Sequence, residues 1–189
     1  MPRSAPEQIV SAPEGEARAS ADAEPPIGLG IDVVHEAGDW PHLDALIVAI
    51  DTAAQAFAAE LRIYGGSACI ALSSDAEVAK LNATYRDKNA PTNVLSFPAL
   101  QPERAPKPGD APRMLGDIAI AYETMRREAD EEQKPFDHHL SHLAVHGFLH
   151  LIGYDHENDA DAEAMESLET EILAQLGIPD PYAGRDRMD

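Results

Sequence analysis

The stretch FDHHLSHLAVHGFLHLIGYDH, Phe136 to His156, holds six of the chain's eight histidines, and its periodicity decides how the rest is read. At about 100° per residue, His139, His142, His146 and His150 project within an arc of about 80°. Leu140, Leu143, Ala144, Val145, Phe148, Leu149, Leu151 and Ile152 fill the remaining circumference, so a helix over Phe136–Ile152 is apolar nearly all round and must be buried. Four imidazoles in such a stripe are costly unless each finds a partner, and a cation with its hydration sphere supplies partners at one stroke. His146 and His150 stand one turn apart on one face, close enough to hold the same ion at roughly 2.0–2.1 Å from each nitrogen. Gly153 suits a left-handed helix end that turns the chain back and lets His156 reach that ion. Three protein ligands leave a coordination position open, as catalytic zinc sites do.

The spacing His-x3-His-x2-Gly-x2-His is that of the long zincin motif, except that Gly147 stands where those proteases carry the glutamate base. His139 and His142 precede the ligands by one and two turns. They read either as groups behind the ligands, as lining of a substrate cleft, with His142 a substrate-binding candidate, or as hydrogen-bonded core histidines. His35, His42 and His138 read as surface residues.

Working outward, Ile27–His35 reads as a strand, and Gly38-Asp39 as a turn offering an N-cap. Leu43, Leu46, Ile47, Ile50, Ala54, Phe57 and Leu61 form one stripe of a long helix ending near Gly65-Gly66. Ala68–Leu72 reads as a buried strand, and Ser74-Asp75-Ala76-Glu77 as a capping box opening a helix to about Tyr85. A loop follows to Thr92, then a strand over Asn93–Phe97. Pro98–Arg113 holds five prolines and reads as an irregular excursion before the strand Asp117–Ala121. The spacing predicts a short helix from Tyr122 to about Ala129 and a last one over Asp159–Leu176, stopped by Gly177 and Pro179.

The 189 residues suit one domain of roughly 100 to 150 residues plus tails. Residues 1–26, rich in Ala, Pro, Glu and Ser, read as a disordered acidic tail, 27–182 as the domain and 183–189 as a short C-terminal tail. The single cysteine, Cys69, allows no internal disulfide and reads as core packing in a reducing compartment. No run approaches the roughly 18 apolar residues of a membrane span, and no signal-peptide layout opens the chain, so a cytoplasmic protein is expected. A formal net charge of -20 opposes indiscriminate binding of nucleic acid. The charge is uneven, however: basic residues outnumber acidic ones from Lys80 to Arg113, while the acidic excess gathers in Asp155–Glu171.

The run His146-Gly147-Phe148-Leu149-His150-Leu151-Ile152-Gly153-Tyr154-Asp155-His156 resembles the hallmark of the YbeY family of bacterial endoribonucleases. Leu81–Lys88, Pro91–Pro98, Leu115–Ile118 and Met165–Ile172 are similar to further segments of that family, and the likeness spans roughly Ile31 to Tyr182. The resemblance implies a single α+β domain with a small mixed four-stranded sheet and a metal, expected to be one Zn2+ ion, on a central helix. It also implies single-strand-specific endoribonuclease action in rRNA processing, including 16S 3′ end maturation, and in ribosome quality control. The family's metal-binding histidines carry over to His146, His150 and His156, and its loop arginine implicated in activity to Arg86. Asn89 departs from a usual aspartate in that loop. The implied partners are single-stranded rRNA, small-subunit ribosomal proteins and a ribosome-associated GTPase.

For phosphodiester cleavage, the expected chemistry is an acidified water or a substrate 2′-hydroxyl as nucleophile, the sequence favouring neither, with Arg86 stabilising charge developing on phosphate. Lys88 is placed to hold a neighbouring phosphate or to stay a solvated loop lysine. Two rivals stand beside this reading: a metzincin-like zinc peptidase, against which Gly147 weighs, and a non-catalytic assembly factor with a structural metal.

Overall fold

The computed structural model describes residues 27–99, 111, 113–156 and 158–183. Its elements run β1 (Leu29–His35), α1 (Leu43–Glu60), β2 (Gly66–Ser73), α2 (Asp75–Arg86), β3 (Val94–Pro98), β4 (Arg113–Ala121), α3 (Tyr122–Glu131), α4 (Phe136–Leu151) and α5 (Asp159–Gln175). The strands make one mixed sheet in the order β1-β2-β4-β3. Its first three strands lie parallel, and β3 pairs antiparallel with β4. This is the α+β architecture expected from the sequence.

Alternation along the strands separates two layers. Ile70, Leu72, Ile118 and Ile120 face a core built with Ile50 and Phe57 of α1, Phe148 and Leu149 of α4, and Met165 and Ile172 of α5. Leu95, Ala119 and Ala121 face the other way, where Val78 and Leu81 of α2 cover them. Helix α4 is therefore enclosed by the sheet and its neighbours, with Phe148 against Phe57 at 5.3 Å between ring centroids. Burying each such side chain stabilises the fold by roughly 1.5–3 kcal/mol. The histidine-bearing helix is thus a fixed platform.

Ser74 caps α2, its hydroxyl accepting from the Glu77 N–H at 3.4 Å. Asp75 then reaches across to α3 and accepts from both the N–H and the hydroxyl of Thr124 at 2.9 Å, while Glu123 accepts from the Asp75 N–H at 2.7 Å. Each helix start thereby satisfies an orphan donor of the other.

Three expectations need correction. Asp39 does not cap α1: the cap position is His42, left-handed at φ 49 with no side-chain bond, and the connection is anchored instead by Trp40, whose indole donates to Ala37 and Ser73 carbonyls. The same helix stops at Glu60, before the glycine pair, because Arg62 turns left-handed at φ 52 and lets the Ile63 N–H bond the Ala58 carbonyl at 2.8 Å. Cys69 is only partly buried, on the face opposite α4, where it lies in register between Asp32 and Asp117. Partial burial, then the charges of Asp117, Asp32 and Glu36, push its thiol pKa upward.

Strand β4 begins at Arg113, since Arg113 and Met114 pair with Gly66 and Ser67. The tail 1–26, most of the proline-rich excursion and residues 184–189 lie outside the described residues.

Candidate metal centre

The C-terminus of α4 closes with the Gly153 N–H donating to the His150 carbonyl at 3.1 Å and the Tyr154 N–H to the Leu149 carbonyl at 3.0 Å, Gly153 standing at φ 97. This paired closure requires a left-handed residue, which glycine adopts without a Cβ penalty. It turns residues 154–156 back beside the last helical turn. There the Tyr154 carbonyl accepts from Nδ1 of His150 at 2.9 Å, and Asp155 accepts from the His156 N–H at 2.8 Å. One nitrogen from each of His146, His150 and His156 lies within 4.8 Å of the others.

The donor set fits a divalent ion. A carbonyl only accepts, so Nδ1 of His150 carries its proton and Nε2 a lone pair. Nδ1 of His146 meets the Glu169 carboxylate at 2.8 Å, which likewise directs the proton to Nδ1. The two Nε2 atoms nonetheless stand 3.1 Å apart. Neutral rings held this way cannot hydrogen-bond to each other, whereas a tetrahedral zinc with roughly 2.0–2.1 Å bonds would bring two ligand nitrogens about 3.3 Å apart. Burial first, then the neighbouring His146, take the His150 pKa down to about 4 against the pull of the Tyr154 carbonyl, so this ring is neutral near pH 7 and able to ligate.

Glu169 is completely buried and was not singled out from the sequence. Burial opposes its charge, but hydrogen bonds from His142 and His146 prevail and bring its pKa to about 2. His142 donates to it at 2.8 Å, and the Tyr182 hydroxyl donates to the same oxygen. The sequence signal was there: Glu169 sits on the buried stripe of α5 with Met165, Ile172 and Leu173, where an unpartnered acid would be expensive.

An open cleft of about 670 Å³ is lined by His146, His150 and His156 together with Arg86, Lys88 and Asn93. Arg86 is in the last turn of α2, and its Nη2 donates to the Ser96 carbonyl at 3.2 Å. Arg86 and Lys88 thus share a cleft with the three imidazoles. His142 does not line it: its ring is turned to Glu169 and Tyr182, behind the histidines. His139 is buried beside Glu128, which accepts from His139 at 3.0 Å and from the Asn93 amide at 2.9 Å, tying the cleft loop to α3 and α4.

Burial opposes the charge of Glu128 too, but the bonds from His139 and Asn93 win and lower its pKa. A carboxylate depressed in the folded state adds stability that is present above its ordinary value near 4.5 and lost as pH falls through the folded value. Glu128→Gln is therefore expected to lose less melting temperature between pH 5 and 3 than the parent, as followed by thermal denaturation at stepped pH. Equal losses in both proteins would refute the assignment.

A Cβ at Gly147 would stand 2.7, 3.0 and 3.2 Å from three carbons of Ile118 in β4. At this close approach of α4 to the sheet, any larger residue, the zincin glutamate included, would require the buried Ile118 side chain to shift.

A model of the family described as Endoribonuclease YbeY matches residues 42–177. Two relatives bearing that same name are a Bradyrhizobium diazoefficiens protein and a Rhodopseudomonas palustris (strain CGA009) protein. The first is 78% identical over 116 residues, 61% of this chain and 63% of its own length. The second is 59% identical over 161 residues, 83% of each chain. A Thermotoga maritima protein solved in solution is similar in fold, with TM-score 0.51 and 22% identity over 84% of this chain and 99% of its own.

Proposed function

The chain belongs to the YbeY family of endoribonucleases, and on that premise we propose that it is a zinc-dependent endoribonuclease that cleaves single-stranded ribosomal RNA. Its place in the cell is rRNA processing, including 16S 3′ end maturation, and ribosome quality control. Small-subunit ribosomal proteins and a ribosome-associated GTPase are its proposed partners in the cytoplasm. Among the described residues no helix is long and apolar enough to cross a membrane.

The observation that carries the reading is the convergence of three imidazoles in a cleft that Arg86 also lines. His146, His150 and His156 would hold the ion, which would supply Lewis-acid polarisation of a phosphoryl oxygen and a more acidic water. Arg86 directs its guanidinium at the phosphate, where a planar fork suits two oxygens at once. Lys88 adds a second cation for an adjacent phosphate, so the cleft is locally favourable to an anion despite the net charge of -20. Gly147 occupies the position of the zincin glutamate, so that residue is not the base that activates the nucleophile here.

The test is cleavage of a single-stranded rRNA fragment and its annealed duplex by purified protein, with and without a chelator, beside a peptide substrate. Single-strand cleavage that chelation stops and zinc restores is expected. Peptide hydrolysis without RNA cleavage would make the chain a peptidase.

A further inference from the structure

Glu169 carries three donors on one fully buried carboxylate: Nδ1 of His146 on Oε1, and Nε2 of His142 and the Tyr182 hydroxyl on Oε2. Its ionic partners are imidazoles. An isolated buried anion is expensive, and this one is accommodated because both of its oxygens are engaged by donors. Tyr182 arrives from a short strap after α5 that is pinned at several points. The Lys134 ammonium donates to the Pro181 carbonyl at 2.8 Å, and Asp180 accepts from the Tyr182 N–H at 2.9 Å and from the Thr170 hydroxyl at 3.3 Å.

We propose that Glu169 is the positioning residue of the metal centre, fixing His146 as the Nδ1–H tautomer with Nε2 toward the ion, and that Tyr182 couples the strap 180–183 to the tightness of metal binding. The inference rests on the metal-dependent reading above. His150 has the fixed carbonyl of its own helix end to set its tautomer, whereas His146 depends on a side chain from another helix. Either ring nitrogen of a free imidazole can carry the proton, and His146 with its proton on Nε2 could not ligate through the nitrogen that faces His150. An amide at position 169 keeps the volume but offers one acceptor and one N–H2 where three donors converge, so at least one donor turns away.

Coupling is reciprocal: if the strap tightens metal binding, metal tightens the strap by the same factor. Zinc affinity is measured by competition with a chromophoric chelator on the full chain, for the parent, Glu169→Gln and Tyr182→Phe. The dissociation constant is expected to rise about 10- to 100-fold for Glu169→Gln, as for other carboxylates behind ligating histidines, with a smaller rise for Tyr182→Phe. The cobalt-substituted Glu169→Gln protein should show a shifted ligand-field spectrum, and zinc should slow amide exchange over 180–183 in the parent. Glu169→Gln with a lowered melting temperature but unchanged affinity and spectrum would overturn the proposal, leaving Glu169 as a tie between α4 and α5. Should that variant not fold, Tyr182→Phe with parental affinity overturns it. A parent protein that takes up no zinc or cobalt at all would instead sink the function proposed above.

Discussion

His150→Ala is expected to fold, to bind no stoichiometric metal, and to cleave single-stranded rRNA no faster than a buffer control. The substitution removes one of three converging nitrogens together with the Nδ1–H bond to the Tyr154 carbonyl. The helix end itself survives, because its two closing bonds are backbone to backbone. The lost side-chain bond is worth about 1 kcal/mol, small against the enclosed core on which α4 rests. Two imidazoles, one on an exposed turn, are a poor site for a lone divalent ion, so metal loss is the dominant consequence. With the ion goes its several kcal/mol of transition-state stabilisation, and since each ~1.4 kcal/mol is tenfold, the fall in rate is about 10³ or more. Metal analysis, circular dichroism and a gel-based cleavage assay on one preparation separate the effects. Unchanged cleavage by the metal-free variant would mean that a contaminating nuclease made the product, and a non-catalytic assembly factor would become the better reading.

The histidine trio was legible because it is local. Two members share one helical face, the third follows after a single turn, and one glycine fixes how that turn runs. What lies behind them was not legible in the same way. Whether His142 opens on the cleft or turns inward depends on which helix covers that side of α4, and α5 does so only in the folded chain. Glu169 could have been suspected from its apolar stripe, but its partners lie 13 to 27 residues away in sequence. Cys69 was misplaced for a simpler reason. Ser67 to Leu72 is small or apolar at every position, so either phase of the strand alternation could have faced the core. Only pairing on both sides, with Asp32 and Asp117 as lateral neighbours, shows which phase is used. The strands, by contrast, followed from short apolar runs set between turn signals, and their limits moved by only a few residues.

Arg86→Ala is expected to keep its metal and lose activity, which separates binding of the ion from use of the cleft. Arg86 lines the same cleft as the imidazoles and bonds the Ser96 carbonyl, while the Ser96 hydroxyl donates to the Gly147 carbonyl at 3.3 Å. The guanidinium is therefore tied to the same strand that bonds the histidine-bearing helix. A preorganised donor aimed at developing charge is typically worth about 10²–10³ in kcat, with little effect on ground-state affinity. Arg86→Lys should recover little of that loss, because an ammonium cannot hold the Ser96 carbonyl and grip two phosphate oxygens in the fork geometry of arginine. The alternative is that Arg86 only ties α2 to β3. In that case the alanine variant would lose stability by about 1 kcal/mol and show a kcat within a few-fold of the parent. Steady-state kinetics on a single-stranded rRNA fragment, with metal content and melting temperature measured in parallel, distinguish the two. A large fall in kcat at full metal occupancy places Arg86 among the groups that act on the substrate.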